Sequence, residues 1–201
     1  MKIATLILAA GSSSRMGRTK QLLPWGNSTL LGNAVASAHE SGLVDILVVL
    51  GAKANTIKAT LDSMPCQITV NSDWEEGLGS SIRTGVSHIL SSASMPDGIL
   101  IMLADQPFVN ADYLKKLIYH FKNGDGGIIC SDYGEKQGVP AIFSRKYFTK
   151  LQGLGGDQGA GPIIEVHRDD SYGLEAGKIT MDLDTHEDYI SLKSLNTQSD
   201  L

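Results

Sequence analysis

Short runs of apolar residues alternate along the chain with segments in which apolar positions recur every three or four residues. The most strongly apolar runs are at residues 3–8, 46–50 and 99–103, and further strand candidates are at 67–70, 128–130, 141–143 and 179–183. Short apolar runs bounded by Gly or polar residues are typical of strands that are covered on both faces. The pattern therefore predicts strands at these positions.

The segments between the runs have helical spacing. They are residues 30–38, 82–90 and 114–121, with a shorter helix expected at 54–62. Asn110 or Asp112 can cap the helix at 114–121, and Ser80 or Ser81 can cap the one at 82–90. Strands that alternate with helices are typical of βαβ units. We therefore expect a three-layer, Rossmann-like α/β fold, with a mainly parallel mixed sheet and helices on both faces.

Length and charge narrow the class of protein. The 201 residues suit a single domain over residues 1–190 and a polar C-terminal tail at 191–201. A net charge of −5 argues against nucleic acid or an anionic membrane as a partner. The first apolar run is short and leads into a basic loop, and none reaches the roughly 20 residues of a membrane span. We expect a cytoplasmic protein.

The loop after the first predicted strand has the composition of a phosphate-binding turn. It continues from Leu8 as AAGSSS, and Arg15 and Lys20 add two positive charges. Small residues allow successive backbone N–H groups to face a phosphate, and cations neutralise its charge. Neither GxxxxGK[ST] nor GxGxxG is present. From composition alone, a solvated glycine–serine turn remains an alternative.

Two carboxylates lie where predicted strands end. Asp105 follows the run at 99–103, and Asp184 follows the run at 179–183 as the second residue of a DxD pair with Asp182. Ligands of such sheets bind beyond the carboxyl ends of the strands. A carboxylate there suits Mg²⁺, which binds through one or two carboxylates together with substrate phosphates. The alternatives are a turn-forming or capping role for Asp105 and a helix start after Asp184.

Longer motifs carry a resemblance to a known family. LAAGSSSRMGRTKQLLP is similar to LAAGxSxRMGxxK, the signature of nucleotidyltransferases with a glycosyltransferase-A-like fold. DWEEGLGSSIRTG, LADQPFV, GVPAIF and DLDTHEDY also resemble family segments, in family order, over residues 1–189. The combination most resembles the molybdenum cofactor cytidylyltransferase branch, which includes maturation factors of molybdenum hydroxylases. The fold is then expected to be like that of the nucleotide-diphospho-sugar transferases.

The resemblance implies transfer of a nucleotidyl group to a phosphorylated acceptor with release of pyrophosphate. It implies catalytic roles for Arg15, Lys20 and Asp105, and Mg²⁺ binding by Asp105 and Asp184. The residues expected to bind the nucleotide are Leu8, Ala9, Ala10, Gly11, Ser12, Arg15, Lys20, Gly79, Ser80, Ser81 and Asp105. Those expected to face the acceptor are Gln106, Gly138 and Pro140.

The substrates are the least constrained part of the prediction. Ala10 stands where guanylyl-transferring relatives often have Gly, which favours CTP. The resemblance implies molybdopterin carrying molybdenum as the acceptor and a molybdenum hydroxylase as a further partner. However, Gly161 stands where relatives often carry Arg. A sugar phosphate, a polyol phosphate or a phospholactate therefore remains an alternative acceptor, and a non-catalytic cofactor chaperone an alternative function.

Overall fold

The computed structural model describes residues 1–13, 16–177, 181, 183 and 185–198. The strands are β1 (Ile3–Ala9), β2 (Pro24–Trp25), β3 (Ser28–Thr29), β4 (Asp45–Leu50), β5 (Gln67–Val70), β6 (Gly98–Leu103), β7 (Ile128–Asp132), β8 (Gln137–Ser144) and β9 (Ser171–Glu175). In this described part of the chain, seven strands form one mixed sheet in the order β5-β4-β1-β6-β8-β7-β9. Strands β2 and β3 pair separately as a short antiparallel ribbon.

Helices cover both faces of the sheet. They are α1 (Leu30–Glu40), α2 (Ala54–Lys58), α3 (Leu78–Leu90), α4 (Ala111–Asn123), α5 (Phe148–Gln152), α6 (Gly161–Val166) and α7 (His186–Gln198). One buried cluster joins α1, α2 and α4 to the sheet, and a second joins α3, α5 and α6 to its other face. Among the described residues, no helix combines the length and the apolar character that crossing a bilayer would require.

Strand β1 explains why the sheet needs two helical layers. All seven of its residues are buried. Ile7 belongs to one buried cluster and its neighbour Leu6 to the other, because successive side chains of a strand point to opposite faces. Strands β4 and β6 flank β1, and both are parallel to it. The predicted fold class is confirmed.

Strand β8 is the exception to the parallel order. It runs antiparallel to both β6 and β7, with Ile101 opposite Ala141 and Gly98 opposite Ser144. An antiparallel strand begins at the end of the sheet where its parallel neighbour finishes. The start of β8 therefore lies beside the residues that follow β6, and the amide of Gln106 donates a hydrogen bond to the Val139 carbonyl at 3.4 Å.

The structure confirms the predicted strands up to residue 143, and it corrects the prediction elsewhere. The helix expected at 54–62 ends at Lys58, and β9, a largely polar strand at the sheet edge, was not predicted. Asn110 caps α4 by accepting a hydrogen bond from the Tyr113 N–H at 2.9 Å. The capping role of Ser80 or Ser81 is wrong, because α3 begins earlier, after Gly77.

The C-terminal region differs from its sequence pattern. Most of the strand predicted at 179–183 lies outside the described residues, and Met181 and Leu183 belong to no strand. Helix α7 crosses the expected boundary between residues 190 and 191. The division of the chain at that point stays a prediction. Leu183, Tyr189 and Leu192 are buried against the region around β2 and β3.

Candidate active site

A cavity of about 480 Å³ opens at the carboxyl ends of β1 and β6. Four segments line it: the end of β1 and the loop after it, the end of β6 and the residues after it, the turn that leads into α3, and the glycine-dense segment at 153–161. The lining residues are Leu8, Ala9, Ala10, Gly11, Ser12, Ser13, Met16, Lys20, Gln21, Trp74, Glu75, Gly77, Leu78, Ser81, Leu103, Ala104, Asp105 and Asp157. The cavity thus lies where a parallel sheet of this class binds its ligand.

The loop after β1 is held in a tight, unusual conformation. Ser13 has a backbone φ of +57°, in the left-handed region that residues other than Gly, Asn and Asp rarely adopt. Gly17 has a φ of +62°. The Ser13 hydroxyl accepts a hydrogen bond from the Lys20 N–H at 3.1 Å, and the Ser13 carbonyl accepts one from the Met16 N–H at 3.1 Å. These contacts set the position from which Lys20 projects.

Gln21 holds the inside of this loop. Its side chain is 6% exposed, and its amide N–H groups donate to the carbonyls of Ala9 and Gly11, each at 2.9 Å. Its amide oxygen accepts a hydrogen bond from the Ser13 hydroxyl at 3.2 Å. Gln21 is not among the residues that the sequence motifs predict to act in the site. The available signal was a polar residue placed directly between the signature lysine and the apolar pair of KQLLP.

Lys20 and Asp105 form an ion pair at the edge of the cavity. The Lys20 Nζ lies 2.7 Å from the Asp105 Oδ2, and the two side chains are 13% and 30% exposed. The other carboxylate oxygen, Oδ1, is buried and has no hydrogen-bond partner among the described residues. The Asp105 carbonyl accepts a hydrogen bond from the Leu183 N–H at 3.1 Å. Asp105 is therefore held at its backbone and by one carboxylate oxygen.

The unpartnered oxygen is a feature that a cation would explain. Burying an ionised oxygen without a partner is costly, and a buried carboxylate is usually hydrogen-bonded, paired or bound to a metal. A hard divalent cation takes such oxygens together with phosphate oxygens. Asp105 therefore fits the metal role that its sequence position predicts. Asp184, the second predicted ligand, lies outside the described residues, as does Arg15.

A buried polar network supports the wall formed by the start of α3. Asn71, 2% exposed, donates to the hydroxyls of Ser80 and Ser81 at 2.8 and 3.0 Å. Its amide oxygen accepts from the Asp73 N–H at 3.0 Å and from the Thr84 hydroxyl at 3.3 Å. Asn71 therefore ties the end of β5 to the first turns of α3.

The glycine-dense segment at 153–161 forms part of the same wall. The Gly79 N–H donates to the Gly156 carbonyl at 2.9 Å, and a Cβ on Gly79 would lie 2.8 Å from backbone atoms of Gly155. A Cβ on Gly77, at φ +109°, would lie 2.3 Å from the Asp157 carboxylate. The backbone at the start of α3 thus packs directly on the backbone of the segment at 153–161, and this packing brings Asp157 into the cavity wall.

Trp74 is a wall of the cavity rather than a surface anchor. It packs against Gly51, where a Cβ would lie 2.5 Å from the Trp74 Cβ and 2.6 Å from the Ala10 carbonyl oxygen. The same Ala10 carbonyl accepts a hydrogen bond from the Ala52 N–H at 3.0 Å. Gly51, Trp74 and Ala10 are thus packed together, and Trp74 and Ala10 line the cavity.

The structure brings most of the predicted nucleotide ligands together. Those that line the cavity are Leu8, Ala9, Ala10, Gly11, Ser12, Lys20, Ser81 and Asp105. Gly79 and Ser80 lie behind its wall, where the Ser80 hydroxyl donates to the carbonyls of Asp73 and Gly77. Gly79 and Ser80 are predicted to bind the nucleotide, and that role stays a prediction. Asp157 and Gln21, which the sequence analysis left unassigned, do line it.

The predicted acceptor residues lie together but outside the cavity wall. Gln106 is 3% exposed beside Val139, and the carbonyl of buried Pro140 accepts a hydrogen bond from Ser131 at 2.8 Å. Gly138 belongs to the same strand, β8. Beneath them, the Tyr113 hydroxyl donates to Ser131 at 2.9 Å, and burial raises the pKa of Tyr113 to about 12. Tyr113 is therefore a neutral support at physiological pH.

Comparison with known proteins agrees with this geometry. Residues 5–171 match the family model described as the MobA-like NTP transferase domain. The match covers most of the chain, so the fold is that of a nucleotidyltransferase. The chain belongs to the MobA-like NTP transferase family.

Relatives within this group carry different names. The chain is 31% identical to the purine catabolism protein PucB of Bacillus subtilis over 92% of each protein, and 28% identical to the molybdenum cofactor cytidylyltransferase of Escherichia coli over 98% of each. It is 33% identical to nicotine blue oxidoreductase of Paenarthrobacter nicotinovorans, over 61% of this chain and 58% of that protein. The chain thus spans less than two thirds of the length of that last relative.

Solved structures show the same fold. Rv0371c of Mycobacterium tuberculosis superposes with a TM-score of 0.83 at 29% identity, over 96% of this chain and 98% of that one. Its complex with manganese gives a TM-score of 0.80 at 28% identity, over 96% and 99%. A nucleotidyl transferase from Methanothermobacter thermautotroptrophicus, at 23% identity, superposes at 0.83 over 98% and 99%. This last likeness concerns the fold alone.

Proposed function

We propose that the protein is a Mg²⁺-dependent cytidylyltransferase that transfers CMP from CTP to molybdopterin carrying molybdenum, with release of pyrophosphate. The observation that carries the proposal is the Lys20–Asp105 pair at the edge of the cavity. One oxygen of Asp105 is held by the Lys20 ammonium, and the other is buried without a partner among the described residues. A cation site beside a phosphate-binding loop is what metal-assisted transfer of a nucleotidyl group requires.

The reaction needs no nucleophilic side chain from the protein. A phosphate oxygen of the acceptor attacks the α-phosphorus of the nucleotide, the bond from that phosphorus to the bridging oxygen breaks, and pyrophosphate leaves. The protein contributes positioning and electrostatic stabilisation. Lys20 is placed to neutralise the leaving pyrophosphate, and we assign Arg15 the same role. Backbone N–H groups of the loop from Ala10 to Ser12 receive the phosphates.

The metal would be held by Asp105 through its unpartnered oxygen, with Asp184 as the second carboxylate. Leu183, which precedes Asp184, is hydrogen-bonded to the Asp105 backbone, and this supports the pairing of the two positions. When bound, the cation would neutralise charge on the phosphate oxygens. The manganese complex of the Mycobacterium tuberculosis relative supports a divalent cation at this fold. Magnesium is our choice because it combines few carboxylates with substrate phosphates.

The choice of substrates rests on relatives and on Ala10. The Escherichia coli relative that matches over 98% of both chains is named a molybdenum cofactor cytidylyltransferase. Ala10 lines the cavity, so the residue at this position contributes to the shape of the pocket that would receive the base. We assign Gln106, Gly138 and Pro140 to the acceptor side, and a molybdenum hydroxylase as the recipient of the product.

The test is a product analysis. The protein is incubated with Mg²⁺, with each of the four nucleoside triphosphates in turn, and with molybdenum-loaded molybdopterin, and the dinucleotide and pyrophosphate are quantified. Parallel reactions replace the acceptor with a sugar phosphate, a polyol phosphate or a phospholactate. We expect cytosine dinucleotide and stoichiometric pyrophosphate from CTP. If another acceptor were preferred, the protein would still be a nucleotidyltransferase, but the proposed acceptor would be wrong. Binding of the substrates without release of pyrophosphate would instead indicate a cofactor chaperone.

Matched variants test the assignment of Asp105. Asp105→Asn keeps the shape of the side chain and removes the charge that would hold the cation, so turnover should fall by about 100-fold or more. Asp112→Asn is the control, because Asp112 is an exposed aspartate on α4 whose side chain is 84% exposed. Equal activity of the two variants would contradict the metal assignment.

A further inference from the structure

Gln21 is a deeply buried polar side chain at the phosphate-binding loop. Among the described residues that line the cavity at this loop, it is the deeply buried polar one to which the proposed reaction gives no role. Its amide makes hydrogen bonds to Ala9, Gly11 and Ser13, all within the loop. The neighbouring residue, Lys20, carries the charge that the proposed reaction uses. Contacts this dense, at one loop and beside a catalytic lysine, call for a physical explanation.

The orientation of the amide follows from its partners. Both carbonyls can only accept hydrogen bonds, so the NH₂ group must face Ala9 and Gly11 and the amide oxygen must face the Ser13 hydroxyl. The opposite orientation would place an oxygen against two oxygens. Both N–H groups of Gln21 are therefore committed to the loop backbone, at 2.9 Å each.

These two bonds determine which way the backbone donors of the loop point. In a trans peptide the C=O of one residue and the N–H of the next are antiparallel. Because the carbonyls of Ala9 and Gly11 point to Gln21, the N–H groups of Ala10 and Ser12 point away from it. The same loop forms the wall of the cavity. Gln21 thereby presents backbone N–H donors in the direction from which an anion can be bound.

The third bond of Gln21 reaches Lys20. The Ser13 hydroxyl donates to the Gln21 amide and accepts from the Lys20 N–H, so its proton is oriented by Gln21 and its lone pair is available to Lys20. This chain fixes the backbone of Lys20, whose ammonium lies 2.7 Å from Asp105. The buried amide of Gln21 thus fixes both the orientation of the backbone N–H groups of the loop and the position of the Lys20 backbone.

We propose that Gln21 is a positioning residue, which clamps two loop carbonyls so that the loop is preorganised to bind the triphosphate. The inference rests on the proposed function, since it takes a nucleoside triphosphate as the ligand of this loop. Its expected signature is a rise in KM for the nucleotide. A misplacement of about 1 Å at such a loop can lower catalytic efficiency by roughly 100-fold.

Two variants of similar size separate the clamp from simple filling of space. In Gln21→Glu, a neutral carboxylic acid can still donate one hydrogen bond to a loop carbonyl, whereas the ionised form faces two carbonyl oxygens and repels both. Burial raises the pKa of a carboxyl group, in documented cases to about 8 or 9. The KM of Gln21→Glu relative to the wild type should therefore rise by about tenfold or more between pH 5.5 and 8.5. Gln21→Met loses the hydrogen bonds to the Ala9 and Gly11 carbonyls at every pH. Its KM relative to the wild type should therefore be high and independent of pH.

The ratio to the wild type cancels the titration of the nucleotide itself, because both proteins meet the same substrate. A pH-independent ratio for Gln21→Glu would overturn the proposal, as would a wild-type KM in Gln21→Met. Loss of the folded state in both variants at every pH would place Gln21 in the general core and would also overturn it.

A second readout keeps this proposal separate from the proposed function. Amide hydrogen exchange of the peptide covering residues 8–22 is measured without nucleotide, and corrected for the intrinsic effect of pH. Exchange in Gln21→Glu should accelerate between pH 5.5 and 8.5 relative to the wild type and to Gln21→Met. If the wild type turned over no nucleotide, this acceleration would support the clamp while the proposed function failed. Its absence would overturn the clamp whether or not the enzyme is active.

Discussion

Replacement of Asn71 by Ala tests whether the wall of the cavity is held by a buried polar network. Asn71 makes four hydrogen bonds, to Ser80, Ser81, Asp73 and Thr84, at 2.8 to 3.3 Å. The residue is 2% exposed, so water does not compete for these bonds in the folded protein. Each bond contributes about 1 kcal/mol net, and a water entering the space left by the amide would offset part of the loss. We expect the free energy of unfolding to fall by about 2–4 kcal/mol.

Asn33 provides the matched control. It is an asparagine on α1 whose amide makes a single hydrogen bond, to the Pro107 carbonyl at 3.0 Å. Asn33→Ala should cost about 0.5–1.5 kcal/mol, measured by urea denaturation under the same conditions. In Asn71→Ala the KM for the nucleotide should also rise, because Ser81 lines the cavity. If both variants lost the same stability, or Asn71→Ala lost less than about 1 kcal/mol, the reasoning about the network would be refuted.

Three further predictions follow from the same structure. Gly79→Ala places a methyl group against the backbone of Gly155, so the KM for the nucleotide should rise by about tenfold or more. Removal of divalent cations by EDTA should abolish pyrophosphate release, because the charge of the phosphate oxygens would no longer be neutralised by a cation at Asp105. Burial raises the pKa of the Cys130 thiol from 9.0 to about 12, so the unfolded chain ionises first, and the free energy of unfolding should fall between pH 9 and 12.

Each of these has a control. Gly161→Ala adds the same methyl group where no atom lies within 4 Å, so it should keep a wild-type KM. Pyrophosphate release that persisted in EDTA would contradict a metal-assisted reaction, and restored Mg²⁺ should recover it. Denaturation curves at pH 8 and pH 10.5 check the thiol, with Cys130→Ala expected to reduce the difference. A stability unchanged between these two pH values would contradict the sign of the shift; Tyr113, whose pKa burial also raises, acts in the same direction.

The sheet could be predicted from the sequence because its strands are almost entirely apolar. Residues 46–50 and 99–103 have no other plausible place than the middle of a two-sided sheet. Strand β9 could not be predicted in this way, because it reads SYGLE and lies at an edge, where burial places little demand on composition. The backbone bonds that pair it with β7 are ones that any sequence without Pro can make.

The site was predictable where chemistry leaves a signature in residue type. Lys20 is a charged residue in the segment after β1, Asp105 follows the end of β6, and the structure places their side chains 2.7 Å apart. The roles of Gln21 and Asp157 could not be derived from their positions in the sequence, since a polar residue outside the main strands and helices ordinarily faces solvent. Their roles depend on which carbonyls and which glycine backbone the fold brings beside them. The glycine beside Asp157 is distant from it along the chain. The carbonyls beside Gln21 can be identified only when the geometry of the loop is known.

The antiparallel strand β8 has a consequence for how such proteins diversify. Under the proposed function, the segments that follow β1, β5 and β6 would form the nucleotide half of the site, whereas the start of β8, which enters from the opposite direction, would form part of the acceptor half. Each half can therefore accumulate substitutions without disturbing the other. Related proteins can therefore retain triphosphate binding while the acceptor changes. The reversed direction of the single strand β8 is what separates these two halves of the site.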